Sequence, residues 1–148
     1  EKLENKKIEF HWWGYYNKWL PQENFYYACK NTGFQANIDG RMEGTYSKYA
    51  QLDDATDSFL YYLMFIKYGF GRATSDAAHE VRDGHISRDE AVALVHKFDG
   101  EFPQKSFKIF LDFLDITESE FWECVDRFRQ DHIWEKKNGE WKLKTRVT

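Results

Sequence analysis

The most constraining feature of the sequence is a run without a polar face. From Phe59 the chain reads Phe-Leu-Tyr-Tyr-Leu-Met-Phe-Ile through Ile66. On a helical wheel these side chains surround the axis instead of lining one stripe, so the helix must be buried at the centre of a fold. It opens near Asp53-Asp54 and stops at Tyr68-Gly69-Phe70-Gly71, where glycine tolerates the positive φ of a helix C-cap.

The flanking segments read mostly as the helices that cover it. Pro21-Gln22-Glu23-Asn24 starts one helix, with proline early and an acid in the first turn, and it stops near Asn31-Thr32-Gly33. A short helix is expected from about Ser75 to Arg82. Ser87-Arg88-Asp89-Glu90 is a capping box, opening a helix with Ala91, Leu94, Val95 and Phe98 on one face up to Gly100. Another helix is expected from about Gln104 to Leu114. A second box, Thr117-Glu118-Ser119-Glu120, opens a last helix with Phe121, Val125 and Phe128 inward. Asn138-Gly139, between alternating flanks from Trp134 to Leu143, signals a β-hairpin. Ile8-Glu9-Phe10-His11-Trp12-Trp13-Gly14-Tyr15-Tyr16 is β-branched and aromatic and reads as a short strand entering a turn. The fold expected is mainly α, a helical bundle-like domain with a short N-terminal strand and a C-terminal β-hairpin.

Composition narrows the functional classes. Aromatic residues make up 19% of the 148, far too many for a disordered chain. The net charge of -4 argues against a nucleic-acid binder held by phosphate contacts. No apolar run approaches the roughly 18 residues of a membrane span. The two cysteines, Cys29 and Cys124, form no C-x-x-C pair; they could form a single disulfide, or stay reduced on apolar helix faces, which suits a cytoplasmic protein.

Two segments could carry chemistry. In the stretch from Lys67 to His85, two glycines precede Arg72-Ala73-Thr74-Ser75-Asp76, an arrangement that can present backbone N–H groups to an anion. Arg72 could add a bidentate phosphate or carboxylate contact. Asp76, His79, Glu80 and Asp83 follow at helical spacings, which fits an ordinary capped helix with a solvated face equally well. Metal ligation by Asp76, His79 and Asp83 lacks the His-x-x-x-His spacing. No Walker loop and no strand-borne Gly-x-Gly-x-x-Gly is present. The second segment, a long ordered loop over residues 34–50, carries Arg41, Tyr46, Lys48 and Tyr49 on glycine-hinged backbone. It suits a sugar or nucleotide ligand, or caps the core with tyrosines.

Several of these motifs occur together, in order, in one family. Trp19-Leu20-Pro21-Gln22-Glu23-Asn24-Phe25-Tyr26-Tyr27, Glu43-Gly44-Thr45-Tyr46-Ser47-Lys48-Tyr49 and Leu52-Asp53-Asp54 are followed by Gly69-Phe70-Gly71-Arg72-Ala73-Thr74-Ser75-Asp76-Ala77-Ala78-His79-Glu80-Val81-Arg82-Asp83-Gly84 and Ile86-Ser87-Arg88-Asp89-Glu90-Ala91. Over about residues 8 to 130 the chain resembles the WbpG- and PseA-like N-acetyl sugar amidotransferases of lipopolysaccharide O-antigen and nonulosonic-acid biosynthesis.

The resemblance implies an ATP-pyrophosphatase enzyme that converts the acetamido group of an N-acetyl sugar or nucleotide-sugar into an acetamidino group. ATP and Mg would be bound mainly by an N-terminal α/β domain with a Ser-Gly-Gly-x-Asp-Ser loop, and a glutaminase subunit would supply ammonia. This chain has no such loop and corresponds to the C-terminal part, with no cofactor expected in these residues. Residues 1–20 would then end the upstream α/β domain, 21–132 form the helical C-terminal domain, and 133–148 a hairpin tail. Lys48, Arg72, Thr74, Ser75, His79 and Arg82 are implicated in the phosphate and sugar site; no catalytic base is assigned. Trp12, Trp13, Tyr15 and Tyr16 should form an exposed apolar patch, covered by another domain or by a second copy in a homo-oligomer. The competing reading is a non-catalytic, winged-helix-like interaction module, without a membrane span or a strong case for nucleic acid.

Overall fold

The computed structural model describes residues 8–50 and 52–148. The chain forms two compact units, one ending at Phe34 and the other running from Gln35 to Thr148.

The first unit holds α1, the single turn Trp13–Tyr16, and α2, Pro21–Thr32. The strand expected over residues 8–16 is not formed. Residues 8–12 make no ladder, and Trp12 and Trp13 carbonyls accept from Tyr15 and Asn17 amides at 3.0 and 3.1 Å. The preference of β-branched and aromatic residues for strands is a preference for a pleated, half-buried surface, and no described strand offers one here. The aromatic side chains stay in solvent: Trp12, Trp13, Tyr15, Tyr16 and Trp19 are 58% to 85% exposed. Pro21 opens α2 and Gly33, at φ 74°, closes it, as the sequence signals require.

The second unit is built around α3, Asp57–Tyr68. The helix starts later than the Asp53-Asp54 signal indicates. The Asp54 carboxylate is occupied in a local turn, accepting from the Thr56 amide and hydroxyl at 2.7 Å each. One face, with Phe59, Tyr62 and Ile66, is buried, whereas Leu60 is 62% exposed, so the apolar run is enclosed on most sides and not all.

Around α3 lie α4 (Arg72–Asp83), α5 (Arg88–Phe98), the 3-10 turn Gln104–Ser106, α6 (Phe107–Leu114) and α7 (Glu118–Phe128). Both capping boxes are formed. Glu90 and Glu120 carboxylates accept from the Ser87 and Thr117 amides at 2.8 Å, and each hydroxyl accepts in return at 3.3 Å. Phe59 is fully buried and stacks on Phe110 with ring centroids 4.2 Å apart, while Phe102 and Phe121 meet it edge-on at 5.7 Å. Offset stacks and edge contacts of this kind add to the stabilisation from burial alone. Phe121 and Val125 of α7 face this core, but Phe128, expected inward, is 39% exposed in the helix's last position.

The hairpin is formed by β1, Trp134–Lys137, and β2, Glu140–Leu143, with Lys137 opposite Glu140. Asn138 and Gly139 both take positive φ, 54° and 85°, as the type I′ turn between twisted strands demands. Trp134 plugs the core, and its indole N–H donates to the Ile66 carbonyl at 2.6 Å. Carbonyls in the last turn of a helix lack intrahelical partners, so this bond both satisfies α3 and fixes the hairpin to it. No described helix is long and apolar enough to cross a membrane.

Replacing Phe59 by Ala should cost about 3–5 kcal/mol through lost transfer energy and a residual cavity. Leu60→Ala, on the exposed side of the same turn, should cost less than about 1 kcal/mol. Urea titrations of the two variants test whether the core lies on the Phe59 side.

Candidate functional site

The loop of residues 35–50 has no regular structure, yet it is tied down throughout. Its base is closed by the Asn37 amide, which donates to the Lys48 carbonyl at 2.7 Å. Arg41 makes a two-pronged contact with Glu101 at 2.6 and 2.8 Å and lies 4.6 Å from the Phe98 ring centre. The same guanidinium donates to the Met42 and Thr45 carbonyls, and Glu101 also accepts from the Gly44 amide at 2.9 Å. The Arg41 hydrogen bonds hold the Glu101 carboxyl below its ordinary pKa, aided by the Gly44 amide and opposed by partial burial.

The far side of this loop rests on α4. Thr45, fully buried, donates its hydroxyl to Asp76 at 2.6 Å, and the Ala73 amide donates to the Gly44 carbonyl at 3.1 Å. Asp76 also accepts from Arg72 Nε at 2.8 Å; Arg72 in turn donates to the Tyr61 hydroxyl at 2.7 Å and stacks 4.8 Å from that ring. Loop, α4 and α3 are therefore joined through one guanidinium and one carboxylate. Next along the loop, the Tyr46 hydroxyl is buried near Glu80, with no hydrogen bond of ordinary geometry among the described residues. Burial raises its pKa, and Glu80 and Asp76 act in the same direction. Glu80 is itself shifted upward, mainly by burial and further by Asp76, against an opposing effect of His85.

The start of α4 differs from the sequence expectation. The helix begins at Arg72, not Ser75, because its cap is supplied from a distance. The Asp99 carboxylate, just beyond α5, accepts from the Gly71 amide at 2.8 Å and the Thr74 amide at 3.2 Å. It takes the Thr74 hydroxyl as well, at 2.6 Å. A Cβ on residue 71 would lie 2.9 Å from Asp99 Oδ1, so a larger residue there would displace the carboxylate from its donors. The N–H groups that the Gly-x-Gly-Arg pattern marks for an anion thus already hold one, a carboxylate of the chain itself.

The six residues implicated by resemblance separate into two groups. Arg72, Thr74 and Ser75 are engaged within the fold, Ser75 through a 3.5 Å bond from its hydroxyl to the Gly71 carbonyl. Arg72 turns to the Asp76 side of α4 and Thr74 to the Asp99 side, so the structure does not bring these two together. His79 and Arg82, one turn apart on α4, hydrogen-bond each other at the surface, and Lys48 is exposed on the loop. Among the described residues no three His, Cys, Asp or Glu side chains group at metal-binding distances. Cys29 and Cys124 are free, partly buried thiols.

The organising residues that motif reading missed are Asp99, Glu101 and Tyr61. A weak signal existed for the first two: Asp99-Gly100-Glu101 places two acids on either side of the glycine that ends an amphipathic helix.

The Glu101 shift gives a pH signature. A carboxyl held below its ordinary value stabilises the fold in full above that value, and the contribution is lost as pH falls through the folded value. Glu101→Gln should therefore lose about 1 kcal/mol at pH 7, a figure kept small because the pair is one-third exposed. Urea midpoints of wild type and variant should converge as the pH is lowered below about 4; a gap that persists unchanged to low pH would refute the assignment.

A family model described as LPS biosynthesis protein WbpG-like, C-terminal domain, matches residues 43–148. The match opens at Glu43, within the anchored loop, and takes in α3 to α7, the hairpin and both carboxylates flanking Gly100. No curated protein matches the chain. With the greater part of its length matched, the chain belongs to the family of WbpG-like lipopolysaccharide biosynthesis proteins and represents their C-terminal domain.

Proposed function

We propose that this chain is the C-terminal portion of an ATP-dependent amidotransferase that converts the acetamido group of an N-acetyl sugar into an acetamidino group. The product would enter lipopolysaccharide O-antigen or nonulosonic-acid biosynthesis. The observation that carries the reading is the family match over residues 43–148, which coincides with the motifs of the anchored loop and α4. These motifs form one connected network through Thr45, Asp76 and Arg72.

Two features favour placing ATP outside the described residues. There is no pyrophosphate loop in the sequence, and the donors at the start of α4 are taken by Asp99. Under this reading ATP and Mg are bound mainly by an α/β domain carrying that loop, and ammonia arrives from a glutaminase subunit. The work takes place in the cytoplasm.

The part assigned to this domain is sugar binding. Lys48, His79 and Arg82 are the surface groups that would meet the phosphate or hydroxyls of a sugar or nucleotide-sugar. Arg72, Thr74 and Ser75 act as positioning residues, holding the loop and the start of α4 in place behind them.

In the full-length enzyme, AMP release should require ATP, ammonia and the N-acetyl sugar together. Arg72→Ala should lower turnover by about tenfold or more with the helical circular dichroism retained. Lys48→Ala and Arg82→Ala, both at the surface, should raise KM for the sugar with little change in kcat. Unchanged turnover in Arg72→Ala, or AMP release that ignores the sugar, would sink the proposal.

A further inference from the structure

A concave site lies on the Thr74 side of α4. It is a cleft of about 220 Å³ between the start of α4, the end of α5 and the segment after β2. Phe65, Phe70, Val95, Leu143 and Val147 give it an apolar, partly aromatic part, about half of the lining. The polar part of the lining is Thr74, His96, Asp99, Thr145 and Arg146.

The segment after β2 fixes the geometry of this opening. The Lys144 amide donates to the Ile133 carbonyl at 2.9 Å, and His96 Nε2 donates to the Val147 carbonyl at 2.7 Å. Arg88 holds the Thr148 carbonyl. Thr145 and Arg146 are therefore suspended between two anchor points across the cleft. Arg146 is exposed and forms no hydrogen bond or ion pair with a described residue. The only carboxylate in the lining, Asp99, is already saturated by three donors from Gly71 and Thr74.

An exposed guanidinium in the lining of a cleft with one aromatic and aliphatic wall, whose single carboxylate already has three donors of its own, selects by charge and by shape. We propose that this cleft binds a small amphiphilic anion: a flat apolar ring carrying one phosphate or carboxylate. The ring would lie between Phe65, Phe70 and Val95, and the anionic group would meet Arg146. Nothing in this inference depends on the amidotransferase reading, because the cleft lies on the Thr74 side of α4 and uses neither Lys48 nor Arg82.

The test is methyl and amide NMR on the chain of residues 1–148, with 2-naphthyl phosphate and 2-naphthoate as probes. Both should shift the signals of Val95, Leu143 and Val147; the tighter of the two identifies which anionic group the site takes. Neutral 2-naphthol and inorganic phosphate should each bind at least about tenfold more weakly, since each supplies half of the recognition. Arg146→Gln, at an exposed position, should weaken the better probe by about tenfold, and Val95→Trp should fill the cleft and abolish its shifts. The proposal is overturned if the shifts are confined to the exposed aromatic residues of the first unit, or if Arg146→Gln binds as wild type does.

Discussion

The second unit depends on enclosing α3. A helix with Phe59, Tyr62, Leu63, Phe65 and Ile66 distributed about its axis leaves only the side around Leu60 for water. It must be contacted from several directions by elements that are each short. Phe107 and Phe110 of α6, Phe121 and Val125 of α7 and Trp134 of the hairpin converge on its Phe59 side. Phe65 serves a different side, meeting Trp134 edge-on and lining the cleft beside α4. None of these elements has more than 12 residues, and isolated helices of that length are marginal in water. Their stability comes from α3, and α3 stays soluble because of them.

A second layer of organisation comes from two carboxylates on either side of Gly100. Asp99 fastens the first turn of α4, and Glu101 fastens the loop of residues 35–50 through Arg41 and Gly44. The short connection after α5 thereby fixes both candidate segments. Thr45 and Asp76 then join those segments directly, so the loop is held from its two sides. An irregular segment of this length keeps a defined shape because its backbone carbonyls and amides find specific side-chain partners.

What could be read from the sequence follows the range of the interactions concerned. The capping boxes at Ser87 and Thr117 and the Asn138-Gly139 turn are closed within four residues, so their residue types announce them. The i,i+4 pair of Arg72 and Asp76 is equally local. The start of α4 was misplaced by three residues because its cap, Asp99, is 28 residues from Gly71. The strand expected over residues 8–16 failed for a related reason: local propensity cannot create a partner strand. At the candidate site, the sequence singled out two segments that touch in the fold, but not how they are joined. Thr45 and Asp76 lie 31 residues apart, and Arg41 and Glu101 lie 60 apart. Nor could the sequence distinguish inward cations such as Arg72 from surface ones such as Lys48 and Arg82.

The carboxylate of Asp99 makes α4 a self-liganded helix. A dissolved phosphate reaching that terminus would compete with an anion delivered by the chain itself, already oriented and with its translational entropy lost on folding. Such a tethered group acts at an effective concentration that no metabolite in a cell attains. The Gly71-Arg72-Ala73-Thr74-Ser75 segment therefore works as a fastening, although its composition is that of a receptor. Glycine-rich helix starts elsewhere invite the same question before a ligand is assigned to them: whether an acid from a distant turn already occupies the place.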